Sequence, residues 1–197
     1  MSRASGRPGH SELRIIGGQW RGRKLRFAPE EGLRPTTDRV RETLFNWLTP
    51  EVHGARCLDL FAGSGALGLE ALSRGAAHCD FVDTSPRVIR QLRQHLDTLG
   101  AGAAGCCHQR PALDYLAGQS DAAQPWDIVF VDPPFGHALA GPSCAQLDAR
   151  GLLAPDALVY LETGAGEPLP ELPAGWDCHR EKRAGGVAYR LFVVTPG

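Results

Sequence analysis

The 197-residue chain has no apolar run approaching the ~20 residues that a membrane span requires. Its first ten residues, Met1 to His10, carry no apolar segment, so they do not read as a secretory signal and are expected to form a disordered tail. The six cysteines (Cys57, Cys79, Cys106, Cys107, Cys144 and Cys178) form no C-x-x-C pair and have no histidine at metal-ligand spacing. That argues against a structural zinc or a disulfide framework, and leaves small hydrophobes in a reducing cytoplasm, with no metal expected. Internal repeats, heptads and long low-complexity tracts are also missing.

What is present is an ordinary soluble composition, 43% apolar and 22% charged, in a length that suits one well-buried domain with a small appendage. The net charge of −1 conceals an asymmetry. Residues 1–41 hold ten Lys/Arg against four Asp/Glu, a net of +6; residues 42–197 hold eleven against eighteen, a net of −7. Such a split reads as a basic arm that meets a polyanion, carried on an acidic body.

Three regions follow: a tail over 1–12, a basic segment over 13–50, and a main domain over 51–197. Leu13 to Phe27 predicts two short strands around Gly17-Gly18 and Gly22, with Trp20, Arg21, Arg23, Lys24 and Arg26 near the turn. Thr36 or Thr37 can cap a helix running to about Leu48. Arg34, Arg39 and Arg41 sit near its start, where positive charge opposes the helix dipole and an anionic ligand would account for it. From Ala55 onward, strands and helices alternate: strand 57–60, helix to about Ser73, strand 79–82, helix 85–99, a weak strand 106–109 and a short helix 112–117. Strand 127–131, helix 144–152 and strand 157–162 come next, and 176–181 with 187–194 close the chain as an antiparallel hairpin. Such alternation predicts an open, doubly wound α/β sheet with its ligand at the carboxyl ends of the strands.

Gly63-Ser64-Gly65-Ala66-Leu67-Gly68 fits G-x-G-x-x-G, and Asp83 follows Gly63 by twenty residues, where a carboxylate would reach ribose hydroxyls. Asp59 lies four residues before the first glycine. A carboxylate there would repel a pyrophosphate but suits the cationic amino group or sulfonium of S-adenosylmethionine. The glycines then serve the turn and close backbone approach.

Ile128 to Val131 delivers Asp132-Pro133-Pro134-Phe135 to the end of a central strand. Two prolines continue neither a ladder nor a helix, so the chain must stop in a rigid turn. Asp132 and the Pro133 carbonyl can accept both hydrogens of an exocyclic amine, which aims its lone pair at a sulfonium methyl, while Phe135 stacks on the extruded base. Positioning then supplies the catalysis, with no need of a metal or a covalent nucleophile.

These blocks resemble the bacterial 16S rRNA guanine-N2 methyltransferases of the RsmD type. The similarity spans Leu13 to Phe192 and includes R-I-I-G-G-Q-W-R-G-R-K-L from Arg14, G-L-R-P-T-T-D-R-V-R-E-T-L-F-N-W-L from Gly32, and F-A-G-S-G-A-L-G-L-E-A-L-S-R from Phe61. V-F-V-D-P-P-F from Val129 and H-R-E-K-R-A-G-G-V-A-Y-R-L from His179 complete it. The resemblance implies a class I methyltransferase: a Rossmann-like, mostly parallel seven-stranded sheet with an antiparallel C-terminal hairpin, plus a small N-terminal hairpin. The implied reaction is transfer from S-adenosylmethionine to N2 of guanine 966 in the small subunit or an assembly intermediate, in the cytoplasm. By position, Asp59, Phe61, Gly63, Gly65, Asp83, Ala112 and Asp132 would hold the donor, and Asp132, Pro133, Pro134 and Phe135 the target guanine. Arg14, Trp20, Arg21, Arg23, Lys24, Arg34, Thr36, Thr37, Arg39 and Arg41 would contact RNA.

In two places the sequence departs from the family pattern. Asp83 replaces a longer Glu, and Pro111-Ala112 stands where a polar residue before Ala would bind the adenine amine, so adenine would be held by Ala112 N–H, apolar contacts, or Gln109 or Arg110 nearby. Among other residues, His137 could touch substrate, and Glu162 is expected to cap a strand or pair with an arginine. Cys57 is discounted as a nucleophile, and Lys182 and Arg183 are either RNA contacts or solvated. The rival readings are a DNA adenine-N6 methyltransferase, a non-catalytic ribosome-assembly factor and a nicotinamide oxidoreductase.

Overall fold

In a computed structural model describing residues 11–27, 36–120 and 124–195, five apolar strands stack in parallel, as the alternating pattern requires. They are β3 (Arg56–Asp59), β4 (His78–Asp83), β5 (Gly105–Gln109), β6 (Trp126–Val131) and β7 (Leu153–Gly164). Two antiparallel strands, β8 (Trp176–Ala184) and β9 (Val187–Val194), extend the sheet to the order β5-β4-β3-β6-β7-β9-β8. β6 is the center: Ile128 to Val131 are fully buried, because helices cover both faces.

The helices are α1 (Asp38–Leu48), α2 (Ala66–Ser73), α3 (Pro86–Leu99), α4 (Ala112–Ala117) and α5 (Ala140–Ala149). One face carries α1, α2, α3 and the separate hairpin β1 (Ser11–Arg14) and β2 (Lys24–Phe27), whose Leu13, Ile15, Leu25 and Phe27 join the same core as Phe130. Helices α4 and α5 pack on the other. Local chemistry sets the helix starts: Thr37 Oγ1 accepts the Val40 amide at 3.3 Å, and Ser85 Oγ accepts that of Val88, also at 3.3 Å, ahead of Pro86.

Several elements differ from expectation: β1 begins at Ser11, inside the expected tail over 1–12, β8 runs past 181 to Ala184, and α5 and β7 are displaced. α5 begins at Ala140 and ends at Ala149, not 144–152, because Pro142 falls in the first turn, where its missing N–H costs nothing, and Gly151 turns the chain at φ 60°. β7 begins at Leu153, earlier than 157, and accommodates the irregular Pro155-Asp156 stretch through a register shift opposite Trp126 and Ile128.

The hairpin is tied down by α2. Glu70, 1% exposed, accepts the amides of Ile16 at 2.9 Å and Gly17 at 2.8 Å, and pairs with Arg74 at 2.8 Å and Arg41 at 3.4 Å. Ser73 donates its hydroxyl to the Gly17 carbonyl at 2.6 Å and accepts the Trp20 amide at 3.0 Å. A Cβ on Gly18, at φ +76°, would lie 1.8 Å from the Ser73 carbonyl oxygen, so only glycine fits this docking.

Arg41, expected to contact RNA, is turned inward in the fold. It is buried, reaching Glu70, Asp38 at 2.6 Å and the Arg14 carbonyl at 3.0 Å. The carboxylates of Asp38, in the first turn, and Glu70 offset its charge at the helix start, so Arg41 needs no anionic ligand there. Among the described residues, no helix is long and apolar enough to cross a membrane.

Candidate active site

A cavity of about 530 Å³ opens at the carboxyl ends of the strands, where the chain order reverses between β3 and β6. Its walls come from the ends of β3, β4, β6 and β7, the start of α4, Thr36 and Thr37 before α1, and the turn between β8 and β9.

The glycine loop forms one wall. Gly63 (φ 50°) lines the cavity. Gly65 (φ 78°) is not among the lining residues; it is turned onto α3, where a Cβ would meet the Leu92 side chain at 2.4 Å. Of the two glycines, one faces the cavity and the other packs on α3. Gly68 packs against Phe81, and its amide donates to Asp59 Oδ2 at 2.9 Å. Asp59 is 2% exposed, and burial pushes its carboxyl up to about 7, with the Gly68 amide opposing and the Asp83 charge adding. Asp83 accepts the Gly63 amide at 3.0 Å and the Ser85 amide at 2.8 Å, so its carboxylate braces the loop as well as facing the cavity. Phe61 lines the same wall.

At the far end, Arg110, Pro111, Ala112, Leu113 and Asp114 line the cavity. Gln109 does not; it belongs to a second cavity beside Asp80. Asp114, in the first turn of α4, is the carboxylate that sequence reasoning missed. The signal was there, since an acidic residue two positions after Ala112 falls at a helix start.

All four tetrad residues line the cavity, with Pro133 buried, Pro134 exposed, and Asp132 and Phe135 partly buried. The Thr36 hydroxyl donates to Asp132 Oδ2 at 3.3 Å. Burial, then the neighboring Glu162 and Asp59 carboxylates, raise the Asp132 carboxyl well above the usual range, and the Thr36 bond opposes them. Just past the tetrad, the Gly136 amide donates to Glu167 Oε1 and the Gly164 amide to Glu167 Oε2, each at 3.0 Å, which fastens the turn to the end of β7. Glu162, expected to cap or to meet an arginine, is 5% exposed, lines the cavity and takes the Tyr160 hydroxyl at 2.5 Å.

The other sequence candidates fall into three groups. Thr36 and Thr37 stand at the cavity mouth, one bonded to Asp132 and the other capping α1. Trp20 is half-buried against the core, Arg14 pairs with Asp38 at 3.1 Å, Lys24 with Glu12 at 2.9 Å, and Arg23 donates to the Thr98 carbonyl at 3.2 Å. Arg21 and Arg39 are exposed, and Arg34 lies outside the described residues. His137 is exposed and does not line the cavity. Lys182 lies over the Trp47 ring at 6.0 Å. Cys57 is fully buried with its thiol pushed far up by burial, so it serves no nucleophilic role.

The second cavity holds a group the sequence spacing did not suggest. Ligand atoms of Asp80, Cys106 and His108 lie within 4.8 Å of one another. Asp80 already accepts from His108 at 2.8 Å and Trp126 at 3.0 Å and pairs with Arg56 at 3.6 Å; burial pushes its carboxyl up, but His108, Trp126 and His78 outweigh it and hold the carboxyl below the usual range.

Three comparisons bear on this site. Residues 13–193 match the family described as conserved hypothetical protein 95. The chain is 52% identical over 189 residues to the ribosomal RNA small subunit methyltransferase D of Escherichia coli, covering 94% of this chain and 93% of that one. The solved structure of the yhhF protein of Escherichia coli superposes with a TM-score of 0.87 at 49% identity, over 95% of this chain and 100% of that one. An RNA methyltransferase of Salinibacter ruber, solved with S-adenosyl-L-homocysteine, shares the fold: TM-score 0.61 at 15% identity, over 83% of this chain and 95% of that one.

Proposed function

The chain belongs to the conserved hypothetical protein 95 family, and from that membership we propose that it methylates the N2 amine of guanine 966 in 16S rRNA of the small ribosomal subunit, using S-adenosylmethionine. The observation that carries the reading is the convergence of two motifs: the glycine loop with Asp59 and Asp83, and the Asp132–Phe135 tetrad, open into one cavity.

The residues present fit the donor. Asp59 offers a buried carboxylate for a cationic amino group, Asp83 faces the cavity where ribose hydroxyls would bond, and Phe61, Ala112 and Leu113 give an apolar wall for adenine. Asp114 supplies the acceptor for the adenine amine that Pro111 cannot. Asp59 at the head of the loop disfavors the pyrophosphate of a nicotinamide dinucleotide. When bound, S-adenosylmethionine supplies an electrophilic methyl group on a sulfonium.

The chain's own residues do the rest. Asp132 and the Pro133 carbonyl accept the two amine hydrogens, so the nitrogen lone pair is directed out of the base plane. Phe135 fixes that plane by stacking. The raised affinity of Asp132 for a proton suits it to take the hydrogen that the amine loses as its bond to carbon forms. Thr36 holds Asp132 in place. Exposed Arg21 and Arg39 meet phosphates, while Arg14, Arg23 and Lys24, also exposed, are engaged with Asp38, the Thr98 carbonyl and Glu12.

The test offers labeled S-adenosylmethionine to small subunits lacking the modification, to naked rRNA and to duplex DNA in parallel. Label in N2-methylguanine of the small-subunit RNA is expected. Label entering DNA alone overturns the reading in favor of an adenine-N6 enzyme, and no label in any arm favors a binding factor.

A further inference from the structure

The Asp132 tetrad presents an amine without naming its base, since an amine on guanine, adenine or cytosine offers it the same two hydrogens. The cavity holds a second carboxylate that distinguishes them. Val131, the last residue of β6, is in register with Leu161 of β7, so Asp132, which follows β6, and Glu162 of β7 come next along the two chains. Both line the cavity, and the Glu162 charge contributes to the raised proton affinity of Asp132. Glu162 is built in: it is 5% exposed, and the fully buried Tyr160 donates its hydroxyl to Glu162 Oε2 at 2.5 Å.

Two carboxylates side by side are an acceptor pair, and each has lone pairs to spare beside its protein partners, so together they match two donors side by side. On the edge of guanine the N2 amine is flanked by N1–H, a second donor. On adenine and cytosine the neighboring ring nitrogen is an acceptor, which would face the carboxylate with no hydrogen between them. We propose that Glu162 is the residue that selects guanine, accepting N1–H while Asp132 accepts an N2 hydrogen. The inference rests on the base-methylating reading above and assigns its choice of base to one side chain. Supplying donors to both carboxylates would also relieve the repulsion between them, so guanine binding favors their ionized forms. Sites built around a substrate donor reject analogs that lack it by large factors, on the order of 10⁴ or more.

The experiment uses small subunits reconstituted with guanine or 2-aminopurine at the target position. 2-Aminopurine keeps the amine to be methylated but makes N1 an acceptor. The full-length wild-type chain is expected to prefer guanine by at least about 100-fold in kcat/KM. Glu162→Gln, whose amide can donate to N1, is expected to shrink that preference at least tenfold, with thermal midpoint and donor affinity unchanged. Tyr160→Phe, which removes only the donor holding Oε2, is the second variant and is expected to shrink it less. It carries the test if Glu162→Gln is too damaged to assay. Ratios that stay at the wild-type value in the folded variants overturn the role of Glu162 and leave the methyltransferase reading intact. A wild-type chain that methylates neither subunit, or accepts both equally, overturns the reading itself or the premise of selection before any variant is measured.

Discussion

The Thr36 hydroxyl donates to the Asp132 carboxylate at 3.3 Å across 96 residues of chain, joining the segment before α1 to the tetrad that ends β6. Thr36, a candidate RNA contact by its position in the family pattern, lies against the carboxylate proposed to orient the amine. Thr36→Val is expected to lower kcat about fivefold, the loss of one hydrogen bond of roughly 1 kcal/mol, and to leave donor affinity unchanged. Single-turnover kinetics beside a donor-binding titration checks the split. A change confined to donor affinity would place Thr36 elsewhere.

Arg41 and Glu70 make a different prediction. Both are buried and paired, so Glu70→Gln should remove the buried counter-charge of Arg41 and Arg74, leave Arg41 only the half-exposed Asp38, and cost up to about 3–5 kcal/mol of stability. Thermal or denaturant unfolding measures it. Because Arg41 does not face RNA, the same variant, assayed below its melting temperature, should keep the salt dependence of substrate binding. A flattened salt slope would return Arg41 to the RNA face.

Arg21 and Arg39 are two of the exposed basic residues of this segment, beside Arg14, Arg23 and Lys24, which bond within the protein. Replacing both with alanine is expected to reduce the slope of log affinity for the small subunit against log salt by roughly 1.5–2 units, with donor affinity and thermal midpoint unchanged. An unaltered slope would move the RNA contact to other residues.

Asp59 gives the donor site a pH dependence. Its carboxyl stands at about 7 in the fold against an ordinary 3.8. Between those values the unfolded chain is ionized while the folded chain holds a proton. This group's contribution to stability is therefore complete below about pH 4 and declines as pH rises to about 7. A cationic donor binds the ionized form, so S-adenosylmethionine affinity should rise as pH goes from 6 to 8 and then level off, by up to about tenfold per unit below 7. Calorimetry in two buffers of different ionization enthalpy should also show proton release on binding at pH 6. A flat affinity profile would separate Asp59 from the donor's amino group.

Much of the fold was legible in the sequence because its signals are local. The run D-I-V-F-V has no alternative to a buried central strand, and Ser85-Pro86 opens α3 where capping chemistry puts it. α5 was misplaced because Pro142 reads as a breaker unless it is known to fall in a first turn. The site was legible at its motifs and not between them. Nothing around Glu70 in the sequence tells that its two oxygens hold the amides of Ile16 and Gly17, more than fifty residues away. Glu162 and Asp132 likewise become neighbors only once β6 and β7 are aligned. Basic residues in a basic segment look alike in sequence, although Arg41 is buried and Arg39 exposed two residues apart.

The most direct test of the central claim is Asp132→Ala, assayed with labeled S-adenosylmethionine on small subunits lacking the modification. The account predicts donor affinity within a few-fold of wild type and a loss of turnover of at least about 100-fold, because the donor wall stays intact while the amine loses its orienting acceptor. Turnover near wild type with donor binding unchanged would contradict it.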